Sequence, residues 1–259
     1  MSGFDPDFAP ALVRPSANFG DRKPRGEAEG IRHPDTLILH YTGMASGKAA
    51  LDWLCNPESG VSSHYFIDQN GLVTQMVPEE KRAWHAGKSF WKGDTDINSA
   101  SIGIEIDNPG HEGGCPPFSR IQMQAVIRLC RDILARNQIP AERVLAHSDV
   151  APGRKRDPGE WFDWKHLHQE GIGHWVEPVD VAGGRFFQEA DGGQPVEALQ
   201  TMLSLYGYDT ETDGIYGAKT KTSVAAFQRH FRPARVDGIA DASTIATLHK
   251  LLTGLPTLA

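Results

Sequence analysis

Cysteine is scarce in this 259-residue chain. There are three, Cys55, Cys115 and Cys130, an odd number with no CxxC spacing. That excludes a disulfide framework and a cysteine-based zinc site as organising features. Basic charge is in deficit too: 26 Lys and Arg stand against 33 Asp and Glu, a formal net charge of −7. A protein that grips nucleic acid needs a basic face for the phosphates, so no nucleic-acid partner is expected. No apolar run approaches the roughly 18–20 residues that span a bilayer, so no transmembrane segment is expected. The first residues, Met1-Ser2-Gly3-Phe4-Asp5-Pro6-Asp7, put two aspartates and a proline where the apolar stretch of an export signal would begin. On that ground the expected compartment is the cytoplasm. No H-E-x-x-H string occurs, which removes the commonest class of zinc peptidase.

What is present reads as a folded, water-soluble chain. Hydrophobic residues make up 39% and charged residues 23%, too apolar for a disordered polymer. The length fits one large domain and one small. Residues 1–30 are rich in Pro, Gly and charge and read as an N-terminal arm. Regular structure is expected from about Asp35. Thr36 to Tyr41 is a short apolar run, a buried strand. Ser63 to Ile67 and Leu72 to Val77 flank Asn70-Gly71, a hairpin signal. Ser101 to Ile106 alternates as a half-buried strand does, and Arg143 to His147 is another strand. Ser119 and Gln122 form a capping box for a helix whose apolar face runs Met123, Val126, Ile127, Cys130, Ile133 and Leu134. Strands and helices mingle, so the class is α/β or α+β, and we take α/β: a mixed central β-sheet flanked by helices.

A Gly- and Pro-punctuated stretch, 176–193, reads as a linker between a domain at 31–175 and a tail at 194–259. The tail reads as a small C-terminal three-helix domain. Its helix faces are Val196, Leu199, Leu203 and Tyr206, then Val224, Phe227 and Phe231, then Ile245, Leu248 and Leu252. A faint repeat, D-G-I-x-x-x-x-T, starts at Asp213 and again at Asp237. Asp-Gly makes a turn, the Ile is expected to plug the core, and the Thr lies near the start of the next helix.

Three places could carry chemistry. His40 ends a buried strand and is either hydrogen-bonded in the core or pointed into a cleft. His147 is followed, ten positions on, by Asp157 across a Pro- and Gly-rich loop, which is either a functional loop or a basic surface turn. Glu105 lies opposite the isoleucines of its strand. It is a solvated charge if that face meets water, or a general base of raised pKa if it lines a cleft. Two histidines and an aspartate are a reasonable first shell for a catalytic zinc with one position left for water. Lys155 is placed to stabilise an oxyanion. His166-x-His168 is a weaker metal-binding pattern, set among ordinary surface charges.

Five strings, in order over about 35–170, resemble the zinc-dependent N-acetylmuramoyl-L-alanine amidases of the amidase-2 type, whose fold is shared with peptidoglycan recognition proteins. They are Leu37–Thr42, Val61–Ile67, Trp84-His85-Ala86-Gly87, Asn98–Glu105 and His147–Gly159. The resemblance implies one zinc per chain on His40, His147 and Asp157, with Glu105 the catalytic glutamate and Lys155 supporting the transition state. It places Trp84, His85, Asn98 and Ser101 along the substrate groove. His64 matches a histidine near the cleft, for which a structural core role is an equal reading. The tail resembles the peptidoglycan-binding module of cell-wall hydrolases through Leu199-Gln200, Gly207-Tyr208, Asp213–Gly217, Thr220, Phe227-Gln228 and Asp237-Gly238. The implied activity is hydrolysis of the amide between N-acetylmuramic acid, or its anhydro form, and L-alanine, with peptidoglycan or muropeptide fragments as partners. A wall-binding tail pulls the compartment toward the periplasm or envelope. The rival readings are a non-catalytic recognition protein and a peptidase cutting within the stem peptide.

Overall fold

The computed structural model describes residues 3–25, 30, 32–181 and 183–255. The first half of the chain runs β1 (Leu12–Val13), β2 (Phe19–Asp21), β3 (Thr36–Tyr41), α1 (Gly47–Cys55), β4 (Tyr65–Ile67), β5 (Val73–Gln75), β6 (Lys81–Ala83), α2 (Ile97–Ala100), β7 (Ser101–Ile106) and α3 (Arg120–Asn137). Then come β8 (Val144–Ala146), α4 (His147–Val150), α5 (Trp164–Gln169), α6 (Gln194–Tyr206), α7 (Ala218–Phe231) and α8 (Ala242–Thr253). Six strands form one mixed sheet in the order β1-β5-β4-β7-β3-β8, and β2 pairs with β6 apart from it. The expected mixed sheet with flanking helices and a three-helix tail is present.

Strand alternation decides which face does what. Leu37 and Leu39 of β3 and Ile102, Ile104 and Ile106 of β7 pack on α3, whose Met123, Val126, Ile127, Cys130 and Ile133 fill the same core. Fully burying each such side chain contributes roughly 1.5–3 kcal/mol. The α3 terminus is fixed as the sequence suggests: Ser119 Oγ accepts from Gln122 N–H and Gln122 Oε1 accepts from Ser119 N–H. The opposite face of the sheet carries Ile38, His40, Gly103 and Glu105, with His40 in register with Glu105 across the parallel β3–β7 pair. The hairpin of β4 and β5 is antiparallel. Its turn is longer than a two-residue loop, because Asp68 Oδ1 accepts from both Asn70 N–H and Leu72 N–H.

Regular structure begins earlier than the sequence pattern suggests. β1 adds a parallel edge strand to the sheet. Arg22 is buried and donates to the carbonyls of Glu79, Ser99 and Ser101. Short, polar, Pro-rich strands of this kind leave little periodic signal. Of the expected arm at 1–30, residues 1–2 and 26–29 lie outside the described residues.

The tail repeat has a physical basis that the Asp-Gly-Ile string only hints at. Gln200 is buried and donates from Nε2 to Asp213 Oδ1, Ile215 O and Thr220 Oγ1, while its Oε1 accepts from Gly214 N–H. Gln228 does the same for Asp237, Ile239, Thr244 and Gly238. Each loop is folded round one amide. The expectation that the isoleucines plug the core is corrected for the first: Ile215 is 61% exposed with Tyr216 buried beside it, while Ile239 is half-buried.

The tail shares its core with the sheet. Ile38, Ala86, Trp91, Ile97, Leu145 and Val150 pack in one cluster with Val196, Leu203, Tyr206, Tyr208 and Phe227. Gly207 lies so close to Trp91 that a Cβ there would stand 2.5 Å from its ring. Asp149, next but one to His147, is fully buried. It accepts from Tyr208 Oη at 2.7 Å, and His230 Nδ1 of α7 lies 2.7 Å from its other oxygen. A common core of this kind unfolds as one unit. Calorimetry should show a single cooperative transition for sheet and tail. Tyr208→Phe, which strips a buried carboxylate of a donor, should lower that whole transition by about 1.5–3 kcal/mol. Two resolved transitions would contradict the shared core.

Candidate active site and metal centre

Three strand ends and a loop build the site. β3 delivers His40, and β7 beside it delivers Glu105. β8 stops at Ala146, and His147 opens the helical turn α4, one residue past the strand in which the sequence pattern places it. The loop after α4 returns so that Ser148 N–H donates to Asp157 O at 3.0 Å, which sets Asp157 beside His147. His40 Nδ1, His147 Nδ1 and Asp157 Oδ2 then lie 2.9 Å from one another. All three residues are buried. Among the described residues this is the one group of three or more His, Cys, Asp or Glu able to hold a metal ion. His166 and His168 lie on the short helix α5, where His168 Nδ1 donates to Gly173 O at 3.0 Å.

The chemistry of the donor set fits a cation. His147 Nε2 lies 3.0 Å from Ala86 O, a pure acceptor, so its proton sits there and Nδ1 presents a lone pair. Burial first, and then the neighbouring His147, push the His40 pKa down to about 4, so that imidazole is neutral at ordinary pH. Burial alone would raise the Asp157 pKa. The adjoining rings of His147 first and His40 second outweigh it and hold the carboxyl well below its usual range. An ionised carboxylate and two imidazole nitrogens therefore face one point. Two neutral imidazoles and a carboxylate are donors suited to zinc.

His147 and Asp157 open into a cleft of about 510 Å³ lined also by Tyr41, Trp53, Trp84, Glu105 and Lys155. Glu105 Oε2 is sealed from solvent and has no hydrogen-bond partner among the described residues. Burial first and the charge of Asp157 second push its pKa well up, and Lys155 opposes this in part. A carboxyl whose pKa is raised in this way is a stronger proton acceptor when ionised than a solvated one. A groove of about 630 Å³ lies elsewhere, between α3 and the chain after Asp157, and the triad does not line it.

The structure thus brings together His40, His147, Asp157, Glu105 and Lys155, and it puts Trp84 on the cleft wall. It turns Ser101 and Asn98 inward, away from the cleft, and for His64 it favours the core reading. Ser101 is fully buried and its hydroxyl donates to Ile97 O at 2.6 Å. Asn98 spends its Oδ1 on the backbone N–H groups of His85 and Ala86. His64 is a core residue: its Nδ1 accepts from Gly103 N–H at 3.0 Å, and its Nε2 lies 3.0 Å from Lys81 O. His85 is nearly buried, with its Nδ1 2.9 Å from His40 Nε2. Arg154 and Asp149 were not singled out by sequence reasoning. Arg154 donates to the Ala86 and Lys88 carbonyls. Their only signal was adjacency to His147 and Lys155.

A family profile described as N-acetylmuramoyl-L-alanine amidase matches residues 31–160. The Escherichia coli (strain K12) N-acetylmuramoyl-L-alanine amidase AmiD is 40% identical over 233 residues, 83% of this chain and 81% of its own. The chain belongs to the N-acetylmuramoyl-L-alanine amidase family. The activity of this amidase is hydrolysis of the amide between N-acetylmuramic acid and L-alanine. A second profile, a putative peptidoglycan-binding domain, matches residues 192–248 of the amidase. A solved structure of E. coli AmiD with the substrate anhydro-N-acetylmuramic acid-L-Ala-D-gamma-Glu-L-Lys superposes with a TM-score of 0.73 at 36% identity, covering 91% of the amidase and 97% of that chain. AmpDh3 from Pseudomonas aeruginosa also gives 0.73, at 30% identity and the same coverage. No helix among the described residues of the amidase is long and apolar enough to cross a membrane.

Proposed function

We propose that the amidase works with one zinc ion held by His40, His147 and Asp157, and that Glu105 and Lys155 do the acid–base and electrostatic work. The observation that carries this is the convergence of three lone-pair atoms at 2.9 Å in a cleft that Glu105 and Lys155 also line. The three residues would hold a zinc ion that would supply Lewis acidity to water and to the scissile carbonyl. Glu105 takes the proton of the attacking water and delivers it to the departing amide nitrogen. Lys155, on the cleft wall, offsets the charge that develops on the carbonyl oxygen. Trp84 and Trp53 supply apolar walls against which sugar and peptide can pack. The relatives solved with anhydromuramyl peptides support that fragment class as substrate. We take 31–175 as the catalytic unit, 176–193 as its connection and 194–259 as the wall-binding unit. That unit favours the envelope, where the polymer is, over the cytoplasm.

The test is mass spectrometry of muropeptides after incubation with zinc-loaded protein and with a chelated control. Free stem peptide beginning at L-alanine, together with an intact sugar, should appear and should vanish on chelation. Cleavage that survives complete removal of metal would overturn the zinc assignment. Binding without cleavage of either anhydro fragments or whole sacculi would point to a recognition protein.

A further inference from the structure

We infer that the segment 84–88 is a clamp that fixes which nitrogen of each metal-binding imidazole carries the proton, with His85 a positioning residue for His40 and the Ala86 carbonyl serving His147. The direction of the hydrogen bonds follows from the far end. Ile97 O can only accept, so Ser101 Oγ–H donates to it at 2.6 Å. With its proton spent, Ser101 Oγ accepts from His85 Nε2–H at 3.2 Å. The neutral His85 ring then has a lone pair on Nδ1, which accepts from His40 Nε2–H at 2.9 Å. His40 Nδ1 is left bare, facing His147 and Asp157. One residue along, Ala86 O takes the Nε2–H of His147 at 3.0 Å and leaves that Nδ1 bare as well. Consecutive residues thus orient both imidazoles.

The segment is held from both sides. Asn98 Oδ1 accepts from the N–H groups of His85 and Ala86 at 3.0 and 2.8 Å. Arg154 Nη2 donates to Ala86 O at 2.6 Å and to Lys88 O at 2.7 Å. The His85 ring lies over the one position of β7 that has no side chain. A Cβ on Gly103 would stand 2.6 Å from His85 Cγ and Nδ1. That is the physical reason for a glycine inside this buried strand. His64 packs edge-on against His85 with ring centroids 5.7 Å apart, so the ring is walled in. Partners that orient metal-binding histidines in this way support both ligand geometry and basicity.

The clamp bears on zinc through the reading of the site given above, but its hydrogen-bond order holds in the metal-free protein and is tested there. Two-bond ¹H–¹⁵N spectra of metal-free protein should show a proton on Nε2 of both His40 and His147. In His85→Phe, His40 should lose that preference while His147 keeps it. Zinc affinity, read by competition with a chromophoric chelator, should fall about 10–100-fold in His85→Phe. Most of it should return in His85→Asn, whose Oδ1 replaces the Nδ1 acceptor. Gly103→Ala, which keeps every polar atom but displaces the ring, should behave like His85→Phe. Ser101→Ala changes least in volume and should release His85 into a mixture of tautomers. A bare His40 Nε2 in the wild type overturns the proposal, as do unchanged tautomers in Ser101→Ala. So does a His85→Asn variant no better than His85→Phe, which would reduce His85 to packing. Failure of the wild type to bind zinc, with both Nε2 protons in place, would overturn the metal reading and leave the clamp standing.

Discussion

Asp157→Ala is expected to lose zinc binding and amide hydrolysis together. Alanine removes the one anionic donor of the set and leaves two neutral imidazoles, so the loss in affinity should exceed the roughly 10–100-fold typical of losing a supporting partner. The loop itself should survive, because Ser148 N–H bonds the Asp157 backbone carbonyl, which alanine retains. Equilibrium dialysis with zinc and turnover on an anhydromuramyl peptide are the two measurements. Retention of wild-type zinc affinity would remove Asp157 from the donor set. The pH dependence of stability separates the side chain from the backbone. The Asp157 carboxyl is held well below its usual range by His147 and His40 in spite of burial. A depressed folded pKa contributes stability above the unfolded value, near 3.9, that is lost as pH falls through the folded value. Metal-free Asp157→Ala should therefore be less stable than wild type at neutral pH, and the gap should close only in strong acid.

Much of this site was legible because its residues sit where short periodic elements end. His40 ends a short apolar run and Glu105 lies on a strand whose alternation is plain, while the parallel register that sets them side by side is a property of the fold. The capping box of α3 and the three helices of the tail were equally plain, since a local pattern fixes each. What stayed hidden depends on contacts distant in sequence. Ser101 and Asn98 sit in a string that looks like a groove, yet the short turn of α2 points both side chains inward, onto Ile97 O and the 85–86 backbone. Nothing in the string tells an inward serine from an outward one. Arg22 and β1 belong to a Pro-rich segment with no period, and their partners lie more than fifty residues away. The shared core was obscured for a related reason: the Gly-Gly stretches before α6 read as a flexible tether. Trp91, Tyr208 and Asp149 show that the tail is bonded to the catalytic side of the sheet.

Glu105→Gln separates proton transfer from metal holding. Glutamine keeps the shape of the side chain and removes only its capacity to take a proton. General acid–base groups contribute about 10²–10⁴-fold, so kcat should fall within that range. Zinc affinity should stay unchanged, because the mutual contacts of the donor atoms involve His40, His147 and Asp157 alone. In the wild type the acid limb of the kcat/KM profile should lie above the ordinary glutamate value, about 4.3, because burial and the Asp157 charge raise the Glu105 pKa. Glutamine should abolish that limb. Stability should move the other way. A raised folded pKa gives stability that is fully present below the unfolded value and is lost as pH rises through the folded one. Above the unfolded value the metal-free wild type bears the cost of keeping a buried carboxyl whose ionisation the fold opposes, and glutamine does not. Metal-free Glu105→Gln should therefore melt higher than wild type at pH 8 and converge with it near pH 4. A variant that loses turnover without gaining stability would mean that Glu105 is solvated in solution. A variant that turns over near the wild-type rate would move the base to another residue of the cleft.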